Sequence, residues 1–242
     1  MRLAEVLPVL APLSLGLFVS AASLADSKDT PAKPLPKGPL NVAFVLTRGA
    51  NVIDFAGPWE VFQDVMIPEL GSSMDEQMPY HLFTVSDSKE PVEMTGGLRV
   101  APAYTFTDAP TPDIVVVGAQ AGSPQMLEWL KKASAQATIM SVCTGAFKLA
   151  KAGLLDGRKA TTHHEFFDDL EKAFPNVKVQ RGPRWVQSSE RVYTAGGLTS
   201  GIDLALHLVA ERYGEQAAER TASYMEHSSQ EWRSPIKNPR TR

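Results

Sequence analysis

Short apolar runs alternate along this chain with stretches whose apolar residues recur at helical spacing. Residues 41–46, 80–85, 113–119 and 139–142 are runs of strand length bounded by turn residues. That pattern suits strands buried on both faces of a parallel sheet. Between them, Trp59, Val61, Phe62 and Val65, then Met126, Leu127 and Leu130, then Phe147, Leu149, Ala150 and Leu154, mark helices with one buried side. Ile202, Leu204, Ala205, Leu208 and Val209 mark a longer one. Pro58 is placed as a first helical residue, which leaves Asp54 in the preceding loop and Glu60 in the first turn. Residues 67–79 read as a surface loop and 92–104 as irregular extended chain. Residues 165–174 and 215–225 read as helices, and 177–179, 184–186 and 191–194 as short strands. Strands alternating with helices predict an α/β fold, a single doubly wound parallel sheet with helices on both faces.

The first residues follow another pattern. Arg2, an apolar run from Val6 to Ala22 and the small residues Ala21-Ala22-Ser23-Leu24-Ala25 read as a signal peptide (1–25) cleaved after Ala25. Prolines within the run favour removal over a membrane anchor, so export, most simply to a periplasm, is expected. Residues 26–39 are polar and proline-rich, a disordered linker. The folded domain is expected over 40–232, with a loose tail at 233–242. The formal net charge of −3 gives no reason to expect nucleic acid or an anionic membrane.

Cys143, the one cysteine of the sequence, ends a predicted strand and precedes a helix, with Gly145 close behind. Strand, nucleophile and helix start describe a nucleophile elbow, whose turn lifts the side chain out of the sheet top. Backbone N–H groups and the helix dipole there are expected to lower the thiol's pKa from about 8.5. A buried, inert cysteine is the competing reading. The strand-to-helix turns bearing Asp54, Gly118-Ala119, Cys143-Thr144 and 196–201 converge on one sheet edge in such a fold, where a small-molecule pocket forms. Cys143 would attack, Asp54 would give or take a proton, and the N–H groups of Ala119 and Thr144 would hold developing negative charge. His163 is equally a base for Cys143 or a histidine behind the site, and Glu60 and Gly197 are candidates for the same supporting shell. Asp54 and Glu60 are also at home as a turn or capping residue and as a first-turn carboxylate. The His163-His164 pair has no accompanying ligand spacing, so no metal is expected.

Several segments together resemble the ThiJ/PfpI superfamily with its flavodoxin-like, class I glutamine amidotransferase-like fold. They are IDFAGPWEVF at 53–62, SVCTGA at 141–146, AKAGLLDGR at 150–158, ATTH at 160–163 and AGGLTSGID at 195–203. Within it they most resemble isonitrile hydratases and the ligand domains of arabinose-regulator-type transcription factors. The first resemblance implies hydration of an isonitrile to an N-substituted formamide by Cys143, Thr144 and Asp54, without metal or organic cofactor. It also implies a homodimer. Val117-Gly118-Ala119 departs from the Pro-Gly-Gly usual in the superfamily. Members with glyoxalase or deglycase activity usually carry glutamate where Asp54 stands, and the shorter acid makes that chemistry the less expected one. No helix-turn-helix pattern follows Met225, so a DNA-binding regulator is not expected. A non-catalytic redox sensor or small-ligand binder using the same pocket is the alternative from another class.

Overall fold

A computed structural model describes residues 35–36 and 38–234. The expected signal peptide, most of the linker and the tail beyond Ser234 lie outside the described residues. In chain order the elements are β1 (Leu40–Val45), α1 (Val52–Gln63), α2 (Met74–Gln77), β2 (Tyr80–Ser86), β3 (Val92–Glu93), β4 (Arg99–Val100), β5 (Tyr104–Thr105) and β6 (Ile114–Val117). There follow α3 (Pro124–Ala133), β7 (Thr138–Ser141), α4 (Gly145–Lys151), β8 (Lys159–Ala160), α5 (Phe167–Ala173), β9 (Lys178–Val179), β10 (Trp185–Gln187), β11 (Val192–Ala195), α6 (Ser200–Tyr213) and α7 (Glu215–Tyr224).

Seven strands form one sheet in the order β10-β11-β7-β6-β1-β2-β5. All its pairings are parallel except that of β10 with β11. The apolar runs are continuous because both faces are covered. In β1, Val42 and Phe44 face a core shared with α1, α6 and α7, while Ala43 and Val45 face a core shared with α3, α4 and α5. Ile114 and Val116 part from Val115 and Val117 in the same way in β6. This alternation is the period-two geometry of a strand between two helical layers. Trp232, near the end of the described chain, is fully buried in the first of these cores.

Strand order reverses at β1, with β2 on one side and β6 on the other. The loops after β1 and β6 therefore part across a crevice at the C-terminal sheet edge, where doubly wound folds bind ligands. Those loops are tied together. Asn51 N–H donates to the Ala119 carbonyl at 2.9 Å, and Ala121 N–H donates to Arg48 at 3.0 Å. The Gln120 side chain accepts the Thr47 N–H at 2.6 Å and donates to the Val45 carbonyl at 3.1 Å.

Three expectations need correction. Pro58 lies inside α1 rather than at its start, so Asp54 belongs to the first helical turn and not to a loop. Pro58 has no N–H to give the Asp54 carbonyl, but it is buried at a crossing that rewards its place. A Cβ added at Gly201 of α6 would stand 2.8 Å from Val142 and 3.3 Å from the Pro58 ring, so small residues let the two helices meet. Glu60 falls past the middle of α1 and is exposed. At about 100° per residue it points about 240° round the helix from Asp54, away from the crevice. The loop at 67–79 is also more ordered than its composition suggests, because Ser73 and Glu76 form a capping box on α2.

Candidate active site

The turn after β7 is built around one strained residue. Cys143 has φ of 57°, a conformation that costs a non-glycine residue roughly 1–2 kcal/mol. Its neighbours hold it there. Cys143 N–H donates to the Gly196 carbonyl at 2.8 Å, and the Thr162 hydroxyl donates to the Cys143 carbonyl at 2.9 Å. Gly145 cannot be larger, since a Cβ would stand 2.1 Å from the Val117 carbonyl oxygen. The next strand over thus presses the start of α4 into place, and Thr144 occupies its N-cap.

Asp54 reaches the same spot from α1 and is fully buried. Its Oδ2 accepts the Ala119 N–H at 2.9 Å, while Oδ1 is buried without a hydrogen-bond partner. Burial pushes the carboxyl up to about 6, against the pull of the Ala119 N–H. Gly118 makes room for this side chain, because a Cβ there would stand 2.7 Å from the Asp54 Cβ. Ala119 was expected to offer its N–H to a developing oxyanion. The structure shows that N–H bound to the carboxylate instead.

The thiol also departs from expectation. Burial pushes Cys143 up to about 11, and the Asp54 charge beside it adds to the rise. The backbone N–H groups of Thr144 and Leu198 and the Thr144 hydroxyl pull it back down. The predicted lowering by backbone donors is real, but desolvation in a site where the cysteine is 6% exposed outweighs it. At neutral pH the proton resides on sulfur and the Asp54 carboxylate is ionised. The pair is a protonated thiol within electrostatic reach of a carboxylate.

His163 packs its ring against the backbone of Gly197, so closely that a Cβ at Gly197 would stand 2.1 Å from Cδ2. Its Nδ1 accepts the Glu165 N–H at 3.3 Å, which leaves the hydrogen of the neutral ring on Nε2. His164 stacks on it with centroids 4.5 Å apart, so the two rings do not converge on one point. Exposed Glu60 stands apart from Asp54 and Cys143. Two contributors escaped the sequence reading. Thr162, whose hydroxyl holds the Cys143 carbonyl, is an ordinary threonine in the sequence, just past β8. Leu198, at φ 55° with its side chain 40% exposed, supplies an N–H to the sulfur. Leucine is seldom found in that conformation, so no residue-type signal announced it.

A separate cleft of about 410 Å³ lies at the opposite end of β7 and β11, lined by Ser134, Ala135, Arg158, Ser189, Glu190 and Arg191. It holds none of the predicted site residues.

Comparison with known proteins gives a consistent picture. The model of the DJ-1/PfpI family matches residues 40–211. The isonitrile hydratase of Pseudomonas putida is 33% identical over 196 residues, covering 78% of this chain and 79% of that protein. The HTH-type transcriptional regulator GbdR of Pseudomonas aeruginosa (strain UCBPP-PA14) is 27% identical over 189 residues, which is 76% of this chain but 49% of the regulator. Among solved structures, a THiJ/PfpI family protein from Pseudomonas syringae superposes with a TM-score of 0.67 at 25% identity, covering 92% of this chain and 87% of that one.

Proposed function

The chain belongs to the DJ-1/PfpI family, and from that premise we propose that it is a cysteine-dependent hydratase that converts an isonitrile and water to an N-substituted formamide. The observation that carries this reading is the Asp54 carboxylate, sealed beside the Cys143 thiol with one oxygen unpartnered. An unpaired buried oxygen is costly unless a proton or substrate atom meets it. A carboxyl near 6 beside a thiol near 11 is suited to a proton relay.

The steps follow from that arrangement. The sulfur forms a bond to the terminal carbon of the isonitrile while its proton passes to Asp54. Asp54 delivers that proton to the same carbon, giving a thioimidate. Water then adds to the carbon, one of its protons goes to the nitrogen, and the carbon–sulfur bond breaks as the other passes to sulfur, the original thiol proton remaining as the formyl hydrogen. The net change is the addition of one water. The N–H of Thr144 and that of Leu198 stabilise charge on sulfur as it leaves. Thr144 rather than Ala119 is the donor available for this work.

Formation of formamide from a panel of isonitriles, followed by chromatography, tests the reading. Cys143→Ala is expected to abolish turnover and Asp54→Asn to reduce it by at least about a hundredfold, the usual scale for a general base. Turnover should rise with pH through about 6 as Asp54 ionises. A wild-type protein with no formamide product on any isonitrile sinks the proposal. The relation to HTH-type regulators favours one second reading, a pocket that binds a small ligand without turning it over. Isothermal titration with isonitriles and small amides on Cys143→Ala separates the two. Export and a homodimer belong to the same proposal, checked by the N-terminal residue of the secreted protein and by light scattering.

A further inference from the structure

The turn at 196–199 places the Leu198 N–H against the sulfur, yet Leu198 itself does not explain why it stays there. Its φ is 55° and its side chain is 40% exposed, so packing of that side chain gives little support. Support comes from the two ends of the turn. Gly196 is held on both sides, its N–H donating to the Arg184 carbonyl at 2.8 Å and its carbonyl accepting the Cys143 N–H at 2.8 Å. At the other end Arg184 Nη2 donates to the Thr199 hydroxyl at 3.2 Å. One residue therefore grips both ends.

Arg184 is in turn fixed by a carboxylate from α6. Asp203 is fully buried and takes the Arg184 Nε into an ion pair. Its Oδ1 lies 2.9 Å from His227 Nε2, and Ser229 adds a hydrogen bond. Glu231 stands 3.7 Å from Arg184 on the outer side. Burial alone would push the Asp203 carboxyl up, but His227, Arg184 and Ser229 overcome it and hold the group below its ordinary value.

We propose that Asp203 is a positioning residue that, through Arg184, fixes the 196–199 turn so that the Leu198 N–H meets the Cys143 sulfur. This rests on the proposed function only in taking that sulfur as the reacting atom. Asp203 touches neither substrate nor sulfur. It acts by making the guanidinium a rigid fork, with one arm spent on the carboxylate and another on Thr199. The competing role is a bolt that ties the 227–231 segment to α6 for stability alone.

The two roles predict opposite signs for the chemistry of the thiol. Cys143 is the one cysteine of the sequence, so uptake of iodoacetamide by the full folded chain, read by intact mass, reports on it directly. A merely loosened bolt exposes a buried thiol and speeds alkylation. Loss of the Leu198 N–H raises the thiol's pKa and slows it. For a rise of about one unit the thiolate falls about tenfold and its greater basicity returns about half of that on a logarithmic scale, so the net loss is about threefold at pH 8. Asp203→Asn is expected to show this slowing with the pH–rate profile displaced upward. Thr199→Val, which removes one hydroxyl and leaves the ion pair intact, is expected to show a smaller displacement the same way. Should Asp203→Asn fail to fold, Thr199→Val decides. Unchanged or faster alkylation in the folded variants overturns the proposal. Because no isonitrile is involved, absent turnover by the wild type would sink the hydratase reading and leave this result standing.

Discussion

Asp54 and Asp203 stand near the starts of two different helices. Each lies in the first turn, of α1 and of α6 respectively, and each is fully buried. Their carboxyls nevertheless titrate in opposite directions, Asp54 raised to about 6 and Asp203 lowered. Burial pushes both up, so the partners decide the outcome. Asp54 has a single backbone donor and one bare oxygen. Asp203 has Arg184, His227 and Ser229. A carboxylate left half-satisfied titrates close to neutral pH, as the proposed proton exchange with the thiol requires. One gripped from several sides is committed to its charge and serves as a fixed point.

Removing the fixed point should cost most. Asp203→Ala leaves Arg184 without its partner and is expected to lose about 3 kcal/mol or more of unfolding free energy, measured in urea at pH 7.5. The opposite sign is expected at the other carboxylate. With a folded pKa of about 6 against 3.8, Asp54 contributes stability that is complete below about pH 4 and lost as pH rises through about 6. Asp54→Asn should therefore gain up to about 3 kcal/mol above pH 7 and almost nothing at pH 4, while losing turnover. Equal effects of the two substitutions at both pH values would erase the distinction drawn between them. For Asp203 the sign reverses, its contribution being present above the ordinary carboxylate range and lost as pH falls through its lowered value.

A smaller effect sharpens the contrast. His227→Gln keeps a donor near Asp203 and should cost only about 1 kcal/mol, with Arg184 still in place. Smallest among structural changes to the elbow is Thr162→Val, which removes one hydroxyl from the Cys143 carbonyl. It is expected to lower stability by about 1 kcal/mol and to slow turnover more than that loss suggests, because it relaxes the strained turn. A Thr162→Val protein with full turnover would show that the elbow keeps its shape without that bond.

The strand runs, the helices between them and the place of Cys143 at a strand-to-helix turn were all written in the spacing of apolar and small residues. Packing periodicity is local, and a parallel sheet covered on two faces has few ways to satisfy it. That Asp54 and Cys143 come to one sheet edge was expected from topology, since they follow β1 and β7, the two strands that flank β6. Which side of α1 reaches the crevice was not. Pro58 in sequence looks like a helix start, and only its fit against Gly201 makes it a tolerable interior residue. Glu60 was misplaced by the same error.

What the sequence determined by itself was the order of elements and the residue types brought to one sheet edge, because these follow from periodicity and from rules of connection. The tertiary structure alone decided the protonation states. Whether a thiol lies near 11 and a carboxyl near 6 depends on how many donors survive burial around each, and those donors, Ala119, Thr144 and Leu198, come from three separated turns. Desolvation acts over a volume, and a linear string of residues does not specify what will fill it.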